Sequence, residues 1–518
     1  MLRSHFLLLV FIFLGFSAQS QEYFPKNDGV KQSYKSTVAF TNATIFVSST
    51  QKIEKATLLI HDSKISEVGT SVVIPPNATI IDMNGKFIYP SFIELFSEFG
   101  ITKPLPRQPG NFAPQYDSNR EGYYWNDHIK PEYKAYENVT YDEKIAASLR
   151  EIGFGTVLSH HNDGIIAGTG LLWTLNDSAT NAFRVLDPET SQHFTFRKST
   201  LSRQAYPSSL MGSMALLRQV FHDAKWYSKN ASSTKDWSLE AFNSNGNKLQ
   251  IFNANDKLNC LRADKLADEF GVNFVLKGKG DEFERINEIK NTKATFIIPL
   301  NFPEPFDVSN GYMAQQISVS DMKFWNQAPY NLKILAENNV PFVISSSDLK
   351  EPKQFLTQLR KAVSHGLSKE KALEALTELP AKLANQSNLL GSLSKGKLAN
   401  FIVVSGDLFD AKSIILENWV QGTQNTVEKA NDTNLIGSYD LTIDNEKFDL
   451  IIEGEPNKLE AKVKKGELKY KTKIEFKEPW LSLVIKDSDT LKANYTRLSA
   501  TFINKTFHQG KATLQDGR

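Results

Sequence analysis

The sequence predicts an α/β protein: a TIM-type (β/α)8 barrel, preceded by a small antiparallel sheet and followed by a small all-β domain. Three observations predict it. Between Pro90 and Leu389, short apolar strands alternate with helical segments, the order that packs a parallel sheet under helices. Upstream, from Val38 to Asp82, β-branched residues alternate between turn residues such as Asp62-Ser63-Lys64. Downstream of Asn431, alternating segments from Gly437-Ser438-Tyr439 to Leu481-Ser482-Leu483-Val484-Ile485 are separated by polar turns.

Each element has a local cause. Ile145, Leu149 and Ile152 fall at i, i+4 and i+7 and predict one helix face over 141–152, which Gly153 ends. Residues 155–160 read as a buried strand. Leu210, Met214, Leu217 and Phe221 repeat the helical spacing, and apolar strands follow at 248–252, 273–276, 294–300 and 340–344, with a helix at 261–270. Two helices close the region. The first, 352–364, carries Phe355, Leu359 and Val363; the second is capped by Ser368 and interrupted at Pro380. Residues 391–404 return to strand.

Composition bounds the function. The 518 residues are 41% hydrophobic and 23% charged with a formal charge of +2, an ordinary globular balance that points to neither nucleic acid nor an anionic membrane as partner. Arg3 and His5 precede an apolar run, Phe6 to Phe16, and then small polar residues. That is the layout of a signal peptide over 1–20, and it predicts export to a bacterial periplasm or medium with no membrane association after cleavage. The lone Cys260 excludes an intrachain disulfide framework. Asn-x-Ser/Thr triplets such as Asn42-Ala43-Thr44 are read as chance. The closing stretch Gly510 to Arg518 ends just after a strand and turn signal, as though the polypeptide continues.

Three segments carry a family resemblance: Asn84-Gly85-Lys86-Phe87-Ile88-Tyr89-Pro90-Ser91-Phe92-Ile93-Glu94 through Gly100, Ser364-His365-Gly366-Leu367-Ser368 through Leu383, and Gly391-Ser392-Leu393-Ser394-Lys395-Gly396-Lys397-Leu398-Ala399-Asn400 through Val404. In this order and at these separations they resemble the amidohydrolase superfamily, in particular exported bacterial imidazolonepropionase-like members. Asn400 stands where that family usually has aspartate. The resemblance implies a composite β-sandwich from 36–89 plus 390–425 and a barrel over 90–389; the alternating strands after them read as a small β domain over 431–518, cut short at its end. The resemblance also implies a divalent metal, zinc, and a second amidohydrolase unit further along.

The family's barrel-entry strand ends in an H-x-H pair that binds metal. Here those positions hold Phe96 and Glu98. Asn253 and Lys277 stand where two further histidines are expected, and Asp348 matches the catalytic aspartate. Asp348 has a second reading, capping the following helix. Separately, His160, His161 and Asp163 follow a strand end, and of two adjacent histidines only one faces the barrel axis. The residues nominated for a metal are therefore His161, Glu98 and Asp348, with Asp348 as the proton carrier. Lys277-Gly278-Lys279-Gly280 reads as a turn or an anion cradle; Asp127-His128 and His222-Asp223 read as surface pairs. Two functions stay open: a metal-dependent hydrolase of non-peptide C–N bonds in an unspecified small molecule, or a non-catalytic unit supporting a downstream catalytic one.

Overall fold

The computed structural model describes residues 37–102, 120–230, 235–427, 435–443, 446–455, 458–477, 480–486, 495–503 and 506–513. The expected leader at 1–20, most of the loop before Tyr124 and the last five residues lie outside the described residues. The chain divides into two compact units, Met1–Glu428 and Lys429–Arg518. Among the described residues no helix is long and apolar enough to cross a membrane.

The first unit begins with β1 (Thr37–Phe46), β2 (Lys52–His61), β3 (Lys64–Gly69), β4 (Thr79–Asp82) and β5 (Phe87–Pro90). A second sheet follows, made of β6 (Phe92–Ser97), β7 (Phe154–Ser159), β8 (Ile166–Thr174), β9 (Val185–Thr195), β10 (Leu249–Asn253), β11 (Phe274–Lys277), β12 (Thr295–Pro299) and β13 (Phe342–Ser345). The chain then returns to the first sheet with β14 (Phe401–Val404), β15 (Ile415–Val420) and β16 (Thr423–Thr426). That sheet runs β16-β15-β14-β5-β1-β2-β3, with β4 parallel to β1. Its join is the antiparallel pair β5–β14, with Pro90 opposite Phe401. Phe40 packs edge-on against Phe401 and Trp419 at 5.1 and 4.9 Å, so aromatic burial holds together strands more than 300 residues apart in sequence.

The second sheet runs β13-β12-β11-β10-β9-β8-β7-β6. It corrects the expected all-parallel (β/α)8 alternation. Seven strands are parallel, but β8 is antiparallel to both β7 and β9. The cause is connection length. Parallel neighbours need a crossover of a dozen or more residues, and only residues 160–165 join β7 to β8. From β8 the four-residue helix Asn181–Arg184 leads directly into β9. Gly170 permits the close approach of β8 and β9: a Cβ there would lie 2.5 Å from Ser191 Oγ. Elsewhere the helices meet the expectation. Lys257–Phe270 is capped by Asp256 and stopped by left-handed Gly271, and Lys369–Leu376 is capped by Ser368. Ile145, assigned to a buried face, is 48% exposed, whereas Leu149 and Ile152 are buried.

Ile93, Leu95, Leu158, Leu172, Ile251, Val275, Ile297 and Val343, one or two from nearly every strand, form a single inner cluster. Phe92, Phe154, Phe252, Leu276, Phe296 and Phe342 point the other way, into the core shared with the helices. The two edge strands, β6 and β13, are joined through Glu94. Its Oε1 accepts from the Phe96 N–H at 3.0 Å and the Ser345 hydroxyl at 2.7 Å. Its Oε2 accepts from the Ser346 N–H at 2.7 Å and the Ser346 hydroxyl at 2.8 Å. Glu94 is 1% exposed, and burial raises its pKa while these four donors oppose the shift.

The second unit is a meander in which β17 (Gly437–Ile443), β18 (Glu446–Glu455), β19 (Lys458–Lys465), β20 (Leu468–Lys477), β21 (Trp480–Lys486), β22 (Tyr495–Ile503) and β23 (Thr506–Thr513) pair in sequence order. The long β20 pairs with β19 through its first residues and with β21 through the rest. Leu450, Ile452, Val463, Leu481, Leu483 and Ile485 gather into one apolar cluster, so both halves of the meander close on the same core.

Glu94→Ala strands the buried Phe96 N–H and Ser345 hydroxyl and the partly buried Ser346 N–H and hydroxyl, each buried orphaned donor costing about 1–3 kcal/mol. The variant is expected to lose at least about 3 kcal/mol in urea denaturation. A loss under about 1 kcal/mol would show that the edge strands do not depend on this carboxylate.

Candidate functional site

Ligand sites in parallel α/β sheets form at the C-terminal ends of the strands. There, Phe96 ends β6, His160 and His161 follow β7, His193 and Thr195 end β9, and Asn253 ends β10; together they line one narrow pocket. Lys277 ends β11 and Asp348 follows β13.

Lys277 is the centre of the arrangement. Its side chain is 2% exposed, and its ammonium pairs with the Asp348 carboxylate, which is 38% exposed. The ammonium also stands 5.4 Å from the Phe96 ring centroid, within cation–π range. Asp348 holds a left-handed backbone, φ 64°. It does not cap the next helical turn, whose N-cap, Glu351, makes no side-chain capping bond.

Phe96 packs on the other side against His160, with ring centroids 4.3 Å apart. His160 and His193 stack in parallel at 3.7 Å with an interplanar angle of 3°. Both are fully buried, 1% and 3% exposed. Neither ring nitrogen of His160, nor Nδ1 of His193, forms a hydrogen bond of normal geometry, while His193 Nε2 meets Ser191 Oγ at 2.8 Å. Burial drives the His160 pKa down to about 3, with His161 and Lys277 adding and the Ser97 carbonyl opposing. His193 is lowered for the same first reason and further by His160. The Asn253 amide donates to Asn162 Oδ1 at 3.3 Å.

The nominated metal residues are placed as follows. Asp348 meets Lys277. His161, partly buried, faces the Tyr133 ring at 5.1 Å. Glu98 lies beyond β6 in the turn closed by Ile101 N–H on its carbonyl. Among the described residues no three His, Cys, Asp or Glu side chains gather closely enough to hold a metal ion, so His161, Glu98 and Asp348 do not form a ligand set. The residues present do not fit zinc, which needs three or four converging donors. An ammonium and a phenyl ring lie among these strand-end groups, and the Asp348 carboxylate is committed to that ammonium. Stacked imidazoles also direct their lone pairs along parallel planes rather than to one point.

Three further readings change. Lys277-Gly278-Lys279-Gly280 already holds an anion of its own: the Lys279 and Gly280 N–H groups donate to Glu282 Oε1 at 3.0 and 3.2 Å. Gly278 is required there, since a Cβ would sit 1.9 Å from that oxygen. His128 is not a surface residue. It is fully buried, its Nδ1 accepts from the Ser199 N–H at 3.0 Å, and its Nε2–H is thereby left to donate to the Gln204 carbonyl at 3.3 Å. Asp163 is bound into the same loop, accepting from the Ser199 hydroxyl and from the Thr200 N–H at 2.7 Å. His193 was not nominated from sequence. Ser191, His193 and Thr195 recur at period two and mark one polar strand face, which was the available signal.

An amidohydrolase-family model matches residues 326–434. An amidohydrolase structure from Thermotoga maritima MSB8 is similar with a TM-score of 0.58 and 20% identity, over 75% of this chain and 99% of that chain. The fold is that of an amidohydrolase. A prolidase complexed with N-methylphosphonate-L-proline (TM-score 0.43, 15% identity, 76% of this chain and 100% of that one) and phenylurea hydrolase B (0.44, 14%, 76% and 97%) are also similar. No curated protein matches.

Two predictions follow from the geometry. Removing the acid of the Lys277–Asp348 pair leaves a buried, uncompensated ammonium, whereas removing the lysine leaves a carboxylate that reaches water. Asp348→Asn is expected to cost about 3 kcal/mol, the low end for breaking a buried pair, and Lys277→Met less than about 1 kcal/mol. Equal losses in denaturant titrations would contradict the buried-cation account. The second concerns acid. A histidine whose folded pKa is depressed contributes stability that is present above the unfolded value of 6.5 and lost as pH falls towards the folded value of about 3. His160 alone contributes on the order of 5 kcal/mol across that window. His160→Phe, which keeps the stack, is expected to flatten the decline in stability between pH 7.5 and pH 5. Carboxyls raised by burial, such as Glu94, shift in the opposite sense and are common to both proteins. Parallel pH profiles would contradict the assignment.

Proposed function

We propose that the first unit is a non-catalytic amidohydrolase-type scaffold, in which an internal ion pair stands where the family places its metal chemistry. The observation that carries this is the buried Lys277 ammonium, paired with Asp348 beneath Phe96. The Asp348 carboxylate is committed to that ammonium, so a divalent ion would have to compete with the buried lysine for it. In this reading the chain is exported, and its unit supports a separate catalytic amidohydrolase unit.

A second reading keeps the hydrolase, of imidazolonepropionase-like type, acting on a non-peptide C–N bond of a small molecule. The family match at 326–434 and the convergence of His160, His161 and His193 on one pocket favour it. Zinc would then be held by His161 with Glu98 and Asp348, which requires rearrangement of the geometry above.

Metal analysis of the full chain, purified without chelator, separates the two. The scaffold reading expects well under 0.1 equivalent of zinc, manganese or iron. A tightly held equivalent, lost in His161→Ala or Asp348→Ala, would overturn it.

A further inference from the structure

The second unit carries a cationic face that nothing above uses. Lys471, Lys473, Lys486 and Arg497 are all exposed, and with Val484 and Tyr495 they line a concavity of about 510 Å³. The register places all four on one side of the sheet. Lys471 lies directly opposite Lys486, and Lys473 and Arg497 lie opposite Val484 from its two sides. The Arg497 guanidinium stands over its neighbour Tyr495, 5.3 Å from the ring centroid, which directs it across the sheet face. No carboxylate lines the concavity among the described residues.

Like charges directly opposite on neighbouring strands disfavour a sheet, and an anion seated between them offsets this. The other face of these strands is committed to the apolar core through Leu481, Leu483 and Ile485, so the cations cannot turn inward. The bias is local: residues 462–486 hold eight lysines against three glutamates. Strand geometry sets the spacing, roughly 5 Å between strands and 7 Å between alternate residues. Four charges on that grid converge on one hollow rather than spreading along an edge. This suits a compact, multiply charged anion more than a lone carboxylate.

We propose that this concavity binds a multivalent phosphate group, with Lys471, Lys473 and Lys486 as point charges and Arg497 as the planar, bidentate partner. The group can belong to a free oligophosphate or to a phosphorylated lipid headgroup, and the test separates them.

The full chain is titrated calorimetrically with inorganic triphosphate at 50 mM and 200 mM salt, and in parallel sedimented with vesicles containing 20% phosphatidic acid or phosphatidylcholine alone. Saturable triphosphate binding that weakens with salt is expected. It should weaken about tenfold in Lys473→Gln/Arg497→Gln, the scale of losing two phosphate contacts at moderate salt. Lys290→Gln, a helix-surface control in the first unit, should leave it unchanged. Co-sedimentation only with phosphatidic acid, lost in the same double variant, assigns a lipid source and also supports the site. The proposal is overturned by no binding to either probe, or by equal loss in the Lys290 control. Binding that survives in a folded double variant, with native circular dichroism, also overturns it.

Discussion

A buried ammonium sets the terms for the C-terminal ends of the second sheet. Moving a charge out of water costs several kcal/mol even after relaxation, and only a well-placed counter-charge offsets it. Lys277 ends β11 with its side chain nearly sealed, so a carboxylate had to come to it. The chain after β13 supplies Asp348 in a left-handed backbone. That conformation costs a non-glycine residue on the order of 1 kcal/mol, below the several kcal/mol of leaving the buried ammonium unpaired. Phe96 completes the enclosure, offering a ring face to the ammonium on one side and packing against His160 on the other.

The neighbouring groups are consistent with that cation. His160 and His193 stack as neutral rings, and protonating either would place a second charge in the same closed space. Burial keeps them neutral and Lys277 reinforces the effect on His160. Glu94, one layer deeper, is handled differently. It meets no cation among the donors that hold it; two N–H groups and two hydroxyls satisfy it instead. The two carboxylates therefore divide the work. Glu94 ties β6 to β13, and Asp348 neutralises the mouth.

Much of the fold was legible in the sequence because apolar periodicity and caps are local signals. Ser368 caps where expected, and the strands at 249–253 and 274–277 fall within a residue or two of their reading. The antiparallel β8 was not legible. Its residues, Ile166-Ala167-Gly168-Thr169-Gly170-Leu171-Leu172, alternate poorly and contain two glycines, so they give no strand signal. Its direction is decided by the short connection to β7 and by the close approach at Gly170, both tertiary facts. At the site, Phe96, Asn253 and Lys277 stood out because the resemblance names those positions. How they pack was not legible. The Lys277–Asp348 pair joins residues 71 apart in sequence, and nothing local distinguishes an aspartate that pairs with a buried lysine from one that caps a helix.

The scaffold and the ligand positions are separable in physical terms, which explains how this fold stands with a phenyl ring and an ammonium at its mouth. The inner layers of Ile93, Leu95, Leu158, Ile251, Val275, Ile297 and Val343 bury apolar surface with no help from a metal. The outer aromatic layer and the β5–β14 join do the same on the helical and sheet sides. The strand ends add to a core that is already packed, and each side chain there meets burial in its own way. Phe96 does so by apolar contact and Lys277 through Asp348, while Asn253 does so in part, its amide donating to Asn162 and its buried Oδ1 left without a hydrogen bond. Of the three only Lys277 carries a charge, and it is the one that holds Asp348.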